Sequence, residues 1–155
     1  MLIEAMRPGD IEAIAQLRFE AFFQGSDRTL EEDAAGLRGL VAKGSPETAL
    51  VARIDDLPVA SVLLVQRELE PAHDLSPWLA GLVVADGHRR KGVGTALVRA
   101  LERRAAAQDV GTLYLYTWEA RAFYAALGWK PVETFEQDGE TTMLMSRGLH
   151  NLPAT

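Results

Sequence analysis

The stretch that decides the fold runs from Trp78 to Ala107: WLAGLVV (78–84), ADGHRRKGVG (85–94) and TALVRALERRAAA (95–107). The first segment is a nearly continuous apolar run, which is typical of a strand buried on both faces of a sheet. The last segment repeats apolar residues at helical spacing from Val93 onward, and glycines join the two segments. The sequence therefore predicts a strand, a glycine-rich loop and an amphipathic helix, in that order.

The loop in this unit has the composition of an anion-binding site. The first N–H groups of a helix lack intrahelical partners, and the helix dipole adds a partial positive charge at the same end. Gly92 and Gly94 let the backbone approach an anion closely. Full charges come from Arg89, Arg90 and Lys91. The combination favours a phosphate or pyrophosphate ligand. The alternatives are that the basic residues form a solvated loop and that the two glycines form an ordinary turn at the start of a helix.

Two common phosphate-binding motifs do not fit this loop. A Walker A loop needs Gly-x4-Gly-Lys-Ser/Thr; Gly87 and Gly92 have that separation, but Val93 and Gly94 follow. The dinucleotide fingerprint Gly-x-Gly-x-x-Gly begins at Gly92, but Leu97 occupies its third glycine position. Neither a nucleotide triphosphatase nor a dinucleotide-binding domain is therefore favoured.

Strands and helices alternate along the rest of the chain. Strands are predicted over 2–7, 48–54, 59–66, 112–117, 130–135 and 141–149, and further helices over 10–22, 29–41 and 120–127. Asp10 is the expected N-cap of the first helix, and Thr29 with Glu32 forms a capping box for the second. Asp138-Gly139 predicts a hairpin turn. The order β-α-α-β-β-β-α-β-α-β-β indicates an α/β fold, with one central mixed sheet flanked by about four helices.

Composition limits the classes of function. The 155 residues suit a single domain spanning 1–155, and no repeat or linker interrupts them. A net charge of −6 disfavours a nucleic-acid partner. There is no apolar run of the roughly 18 to 20 residues that a membrane span needs, and no signal peptide at Met1, so a cytosolic protein away from membranes is expected. With no cysteine and three widely separated histidines, no metal site is expected.

Two blocks together resemble the GNAT family of N-acetyltransferases. The first fills the pattern Arg/Gln-x-x-Gly-x-Gly/Ala with Arg89, Gly92 and Gly94, between an apolar strand and a long helix. The second is AFYAALGW, residues 122–129, which looks like the closing helix of that family. The resemblance implies the GNAT fold and acetyl-coenzyme A as co-substrate, and it covers the whole chain in the order of its elements.

The resemblance also assigns the cofactor-binding residues. Pantetheine in this family lies along the strand before the loop, so Leu82, Val83 and Val84 would offer backbone groups to it and to the thioester carbonyl. A backbone N–H near Val84 would then polarise that carbonyl. The pyrophosphate would be bound by the loop and the first helical turn: Arg89, Arg90, Lys91, Gly92, Val93, Gly94 and Thr95.

Two catalytic residues are proposed from the same resemblance. Tyr124 falls where many members hold the general acid for the departing thiolate; the alternative is an aromatic packing residue. The strand Trp78–Val84 lacks the acidic residue that relatives often place there, so Asp74 is the first candidate for the base, ahead of Glu68, Glu70 and His73. Asp74 could instead be a simple turn former. Thr117 stands where members often have an asparagine that contacts the cofactor, which makes that contact doubtful.

The function that follows is acetyl transfer to a primary amine by direct attack in a ternary complex. The sequence leaves the acceptor open among a polyamine, an amino acid, an aminoglycoside-like compound and a protein terminus. By analogy with the family, Phe19, Phe22, Phe23 and the segment 67–77 would shape its site. A non-catalytic acyl-coenzyme A sensor and a structural protein without cofactor are the alternatives. Because many relatives dimerise, a homodimer is expected.

Overall fold

The computed structural model describes residues 1–66, 75–137 and 139–150, which form a seven-stranded sheet with helices on both faces. The strands are β1 (Leu2–Ala5), β2 (Thr48–Ile54), β3 (Leu57–Val65), β4 (Trp78–Val84), β5 (Thr112–Thr117), β6 (Lys130–Gln137) and β7 (Glu140–Gly148). The α-helices are α1 (Ile11–Arg18), α2 (Leu30–Val41), α3 (Val93–Ala107) and α4 (Arg121–Ala126). The predicted order of elements is confirmed.

The sheet is mixed, as predicted. Its strand order is β1-β2-β3-β4-β5-β7-β6, and β4 with β5 is the parallel pair among antiparallel neighbours. A separate apolar cluster packs against each face of the sheet. One cluster packs under α3 and α4 and includes Leu97, Leu101 and Trp129. The other packs under α1 and α2 and includes Ile14, Leu37 and Trp78.

The start of α1 differs from the sequence prediction. Asp10 holds the N-cap position, but its side chain makes no capping bond to α1. Its carboxylate accepts from the Arg7 backbone N–H (2.9 Å) and from both terminal nitrogens of Arg53 on β2 (2.6 and 2.5 Å). A buried ion pair with a distant strand has replaced the local cap, because a desolvated carboxylate is stabilised most by a charged bidentate partner.

The last four residues of the predicted first helix, 19–22, are not α-helical. Residues Phe19–Phe23 form a single π-helical turn that continues α1. Such turns insert an extra residue and shift the side chains that follow, and they are frequent at functional sites. The capping box of α2 is confirmed: the Glu32 N–H donates to Thr29 Oγ1 (3.0 Å) and the Thr29 N–H donates to the Glu32 carboxylate (2.8 Å).

The element bounds agree most closely around the decisive stretch. The ends of β4, α3 and β5 coincide with their predicted residues, whereas β1 is shorter and β3 starts earlier, at Leu57. At the β6–β7 hairpin Gly139 has a φ of 81°, as a tight turn requires, while Asp138 lies outside the described residues. No helix in the described ranges is both long enough and apolar enough to cross a membrane.

Candidate active site

The strands β4 and β5 separate soon after they meet. Their ladder contains one pair within the described chain, Trp78 with Tyr114, next to a hydrogen bond from the Tyr114 N–H to the Pro77 carbonyl (3.2 Å). Past that point β5 pairs with β7 on its other side, so the β4 edge over 79–84 faces a wedge. Unpaired strand groups need partners, and an extended ligand can supply them.

A bulge in β4 sets the direction of this open edge. Ser61 pairs with Val83 and Leu63 with Ala80, so β4 carries one extra residue there, and Gly81 adopts a φ of 62°. Beyond the bulge the Ala85 N–H donates to the Val59 carbonyl (2.8 Å). Because antiparallel pairs alternate, the backbone groups of Val83 face β3 and those of Val84 face the wedge.

The loop after β4 presents the free end of α3. Gly92, at the N-cap with a φ of 82°, accepts the first intrahelical bond from the Ala96 N–H (3.0 Å). The N–H groups of Val93, Gly94 and Thr95 precede that bond and therefore have no acceptor within the helix. No side chain caps this end, and its first turn contains no acidic residue. The end of α3 is thus electropositive and open to an anion.

The three basic residues of the loop are used differently. Arg89 Nε donates to the Val84 carbonyl (3.1 Å), and its guanidinium lies 3.2 Å from Asp86 Oδ1, so this side chain folds back over the end of β4. Arg90 has a φ of 62°, and both Arg90 and Lys91 are exposed. All three charges stay near the α3 N-terminus, where they would attract an anion.

Gly94 lies where α3, β4 and α4 meet. A Cβ atom at this position would be 3.7 Å from the ring of Phe123 and 3.8 Å from the side chains of Leu82 and Val84. These are ordinary packing distances, so the absence of a side chain is not needed for packing alone. The geometry places the predicted pyrophosphate loop beside the predicted pantetheine strand.

Tyr124 follows Phe123 on α4 and is buried, with 7% of its surface exposed. Its ring makes edge contacts with Phe123 (5.0 Å between centroids) and Trp129 (6.0 Å). Burial raises the pKa of the Tyr124 phenol to about 12, because the anionic form loses its hydration. The phenol is therefore a persistent hydrogen-bond donor at neutral pH.

The hydroxyl of Thr117, at the end of β5, has a hydrogen-bond partner within the protein. It accepts from the Ala120 N–H (3.0 Å) and so closes the turn into α4, and the residue is buried. The Thr117 hydroxyl therefore helps to position α4.

The sequence prediction missed a buried carboxylate behind α4. Glu102 of α3 is fully buried and accepts from Trp129 Nε1 (3.0 Å) and Arg99 Nη1 (2.9 Å), with Arg147 Nε 3.7 Å away. The backbone N–H of Trp129 donates to the Tyr124 carbonyl (3.1 Å). A charged residue within the apolar stripe of a helix was the available signal.

The sequence prediction also missed Arg18, on the α1 face of the sheet. The residue is 8% exposed, and Nε and Nη2 donate to the Asp33 carboxylate (2.8 and 3.1 Å). Its guanidinium lies against Gly81 at the β4 bulge. The signal was its helical spacing with the buried residues Ile14 and Ala15, which puts a cation on the buried face of α1.

A cluster of aromatic rings lies on the α1 face of the sheet, near the point where β4 and β5 still pair. Trp78 stacks on Tyr116 (4.7 Å between centroids, 14° between planes) and contacts Tyr114 (5.6 Å). Phe22 and Phe23 of the π-helical turn are close to Arg18. The predicted base Asp74 and its alternatives Glu68, Glu70 and His73 lie outside the described residues.

A surface depression of about 540 Å³ lies between the connection after α2 and the C-terminal end of α3, and none of its lining residues belongs to the predicted site. Over 1–66, 75–137 and 139–150, no three His, Cys, Asp or Glu side chains are grouped so as to hold a metal ion.

Comparison with known proteins agrees with this geometry. The model of the acetyltransferase (GNAT) family matches residues 11–129, which is most of the chain. The chain therefore belongs to the GNAT acetyltransferase family, and the predicted family is confirmed.

Individual relatives match less of the chain or at lower identity. Mycothiol acetyltransferase of Mycobacterium avium (strain 104) is 38% identical over 85 residues, which cover 55% of this chain and 25% of that protein. The match thus spans about a quarter of the length of the curated relative.

Solved structures share the fold. An aminoglycoside 6′-N-acetyltransferase complexed with coenzyme A has a TM-score of 0.79 at 17% identity, covering 99% of this chain and 100% of that one. Ribosomal-protein-alanine N-acetyltransferase from Brucella melitensis has a TM-score of 0.78 at 20% identity, covering 96% and 99%. At these low identities the similarity shows the fold alone. The acceptors named for the two enzymes differ from one another.

Proposed function

We propose that this protein transfers an acetyl group from acetyl-coenzyme A to a primary amine by direct attack in a ternary complex. The observation that carries the proposal is the meeting of two unsatisfied backbone surfaces: the open edge of β4 and the uncapped N-terminus of α3. They adjoin at Gly94, where a Cβ atom would lie 3.8 Å from the side chains of Leu82 and Val84. One surface suits an amide-bearing chain, and the other suits its pyrophosphate.

Binding of the cofactor uses the backbone more than the side chains. The N–H groups of Val93, Gly94 and Thr95 would donate to the pyrophosphate, with Arg90 and Lys91 adding charge from the exposed loop. Pantetheine amides would pair with β4 beyond its bulge. Since the backbone groups of Val84 face the wedge and those of Val83 face β3, Val84 is the better partner of the two. A structural neighbour is complexed with coenzyme A, which supports coenzyme A as the ligand.

Acetyl transfer needs a donor for the charge that develops on the thioester oxygen. The Val84 N–H faces the wedge and is already oriented, so it can stabilise that charge without reorganisation. The amine must lose a proton, and most free alkyl amines, with a pKa near 10, are protonated at neutral pH. Asp74 is proposed as the base, acting directly or through water.

Tyr124 is proposed to assist the departing thiolate. Its phenol has a pKa of about 12, and an alkyl thiol such as cysteine has one of about 8.5, so complete proton transfer is uphill by ~5 kcal/mol. The phenol would therefore stabilise the thiolate by donating a hydrogen bond while keeping its proton. Solvent then supplies the proton of the free thiol.

The experiment has a binding arm and a turnover arm. Acetyl-coenzyme A should raise the melting temperature by mass action, and a panel of polyamines, amino acids, aminoglycosides and peptides should release free thiol with at least one acceptor. Binding without turnover across the panel would favour a non-catalytic acyl-coenzyme A sensor. If acetyl-coenzyme A does not bind at all, the remaining alternative is a structural protein without a cofactor. The homodimer and the cytosolic location stay predictions.

A further inference from the structure

Arg18 contains a buried donor that the proposed reaction does not use. Two of its nitrogens are occupied by Asp33, but Nη1 is buried and has no hydrogen-bond partner among the described residues. Buried polar groups almost always have partners, and an unpaired N–H on a cation is especially unfavourable. A ligand oxygen at this point would complete the hydrogen bonding of the guanidinium.

The charges around Arg18 favour an anion. Asp33 is shared, because Arg28 Nε also donates to it (3.1 Å) and the Arg28 guanidinium forms a second ion pair with it (3.1 Å). Two guanidinium groups therefore surround one carboxylate, which leaves an excess positive charge. The side chain of Arg28 is 42% exposed and can be solvated, whereas that of Arg18 is 10% exposed. The excess charge is thus least compensated by water at Arg18.

The free nitrogen lies at the part of β4 where acetyl transfer is proposed. A Cβ atom at Gly81 would overlap Arg18 Nη1, so the guanidinium lies against the bulge itself. The bulge immediately precedes Leu82–Val84, the proposed thioester edge. A group bound by Nη1 would therefore lie beside the part of β4 that the reacting amine must approach.

Ser61 gives a second, independent indication on the same face. Its hydroxyl is fully buried and has no partner among the described residues. Ser61 pairs with Val83, just past the bulge, and strand alternation puts it on the face of Leu63, which lies in the cluster under α1. Two unpaired buried donors thus flank the bulge on the side of the sheet opposite α3.

We propose that Arg18 binds a carboxylate on the carbon next to the acceptor amine, so that the acceptor class is an α-amino acid. The inference rests on the proposed acetyl transfer at β4. A cationic polyamine or aminoglycoside offers no anion and would be repelled. The rings of Phe22 and Phe23 lie 5.8 and 5.6 Å from the guanidinium carbon and cover it. The π-helical turn that carries them must shift to admit the carboxylate.

The test compares product-like ligands that differ only in charge. The protein, saturated with coenzyme A, is titrated with N-acetylated glycine, leucine and phenylalanine, and with the corresponding N-acetyl amides. At least one acid should bind tenfold or more tightly than its amide. Arg18→Met should remove this difference. Arg28→Met is the matched control, since it also deprives Asp33 of a partner but leaves Nη1 in place, and it should keep the difference.

The outcomes separate this inference from the proposed function. Equal binding of acids and amides, or no binding of any acid, would overturn the carboxylate site. If Arg18→Met does not fold, nitrogen-15 NMR of the arginine side chains in the parent decides: the Arg18 Nη signals should shift with an acid and not with its amide. Failure of coenzyme A itself to bind would instead contradict the proposed function.

Discussion

The two sides of β4 are built in different ways. On the α3 side the candidate site consists mainly of backbone: an uncapped helix end, a left-handed glycine and an open strand edge. On the α1 side it consists of side chains from distant segments: Arg18 lies against the bulge and pairs with Asp33, fifteen residues away. A backbone site depends on where glycines fall, which a short motif records. A side-chain site depends on tertiary packing: helical spacing can show that Arg18 is buried, but it does not show which distant residues contact it.

This contrast predicts that the α3 side is most sensitive to charge. Gly94→Asp should weaken binding of acetyl-coenzyme A by at least a hundredfold, because it adds a carboxylate at the helix end proposed to bind the pyrophosphate. The fold should survive, since the nearest atoms leave ordinary packing distance. Gly39→Asp, in open space on α2, is the control and should bind normally. Isothermal titration measures both; undiminished affinity in Gly94→Asp would show that the loop is misassigned.

Removing one hydroxyl from α4 tests the chemistry apart from binding. Tyr124→Phe should lower kcat by on the order of 10- to 1000-fold while leaving cofactor affinity nearly unchanged. Because the pKa of Tyr124 is raised to about 12, the phenol keeps its proton, and the parent-to-variant ratio should stay constant from about pH 7 to 9. Single-turnover rates are the measurement. Full activity in the variant would return Tyr124 to a packing role.

Two glycines allow the steric part of the comparison to be tested. Gly81→Ala should destabilise the fold by ~2 kcal/mol or more, since a φ of 62° disfavours a side chain and the new Cβ overlaps Arg18. Gly94→Ala should change stability by less than ~1 kcal/mol, because its contacts are ordinary. Gly44→Ala, with a φ of 86° and open space, isolates the backbone cost. Urea unfolding that gives equal losses for Gly81 and Gly44 would mean that Arg18 does not lie against the bulge.

The proposed base gives the smallest expected effect. Asp74→Asn should lower kcat/KM by about tenfold near pH 7, with partial recovery at higher pH, where more of the amine is already free. Asp56→Asn, at the exposed β2–β3 turn, is the control. A pH–rate profile that is only displaced downward would indicate a positioning role for Asp74. An identical profile would assign deprotonation to solvent.

Local signals in the sequence predicted the elements around α3 and the start of α2 well. The bounds of β4, α3 and β5 and the capping box of α2 follow from apolar periodicity and from neighbouring residues, and all are confirmed. Asp10 shows the limit of such signals: a residue suited to a local cap instead pairs with Arg53, 43 positions away. The bulge at Gly81 and the partners of Arg18 arise the same way, because each involves elements that are distant in the sequence.

The central claim is that acetyl-coenzyme A occupies the backbone surfaces of α3 and β4, and amide hydrogen exchange tests it most directly. Exchange is followed residue by residue by NMR, with and without saturating coenzyme A. The account predicts new protection at Val93, Gly94, Thr95 and Val84, whose N–H groups are proposed to donate to the ligand, and none in the distant strand Lys130–Gln137. Binding that protects other amides and leaves these four unchanged would contradict it.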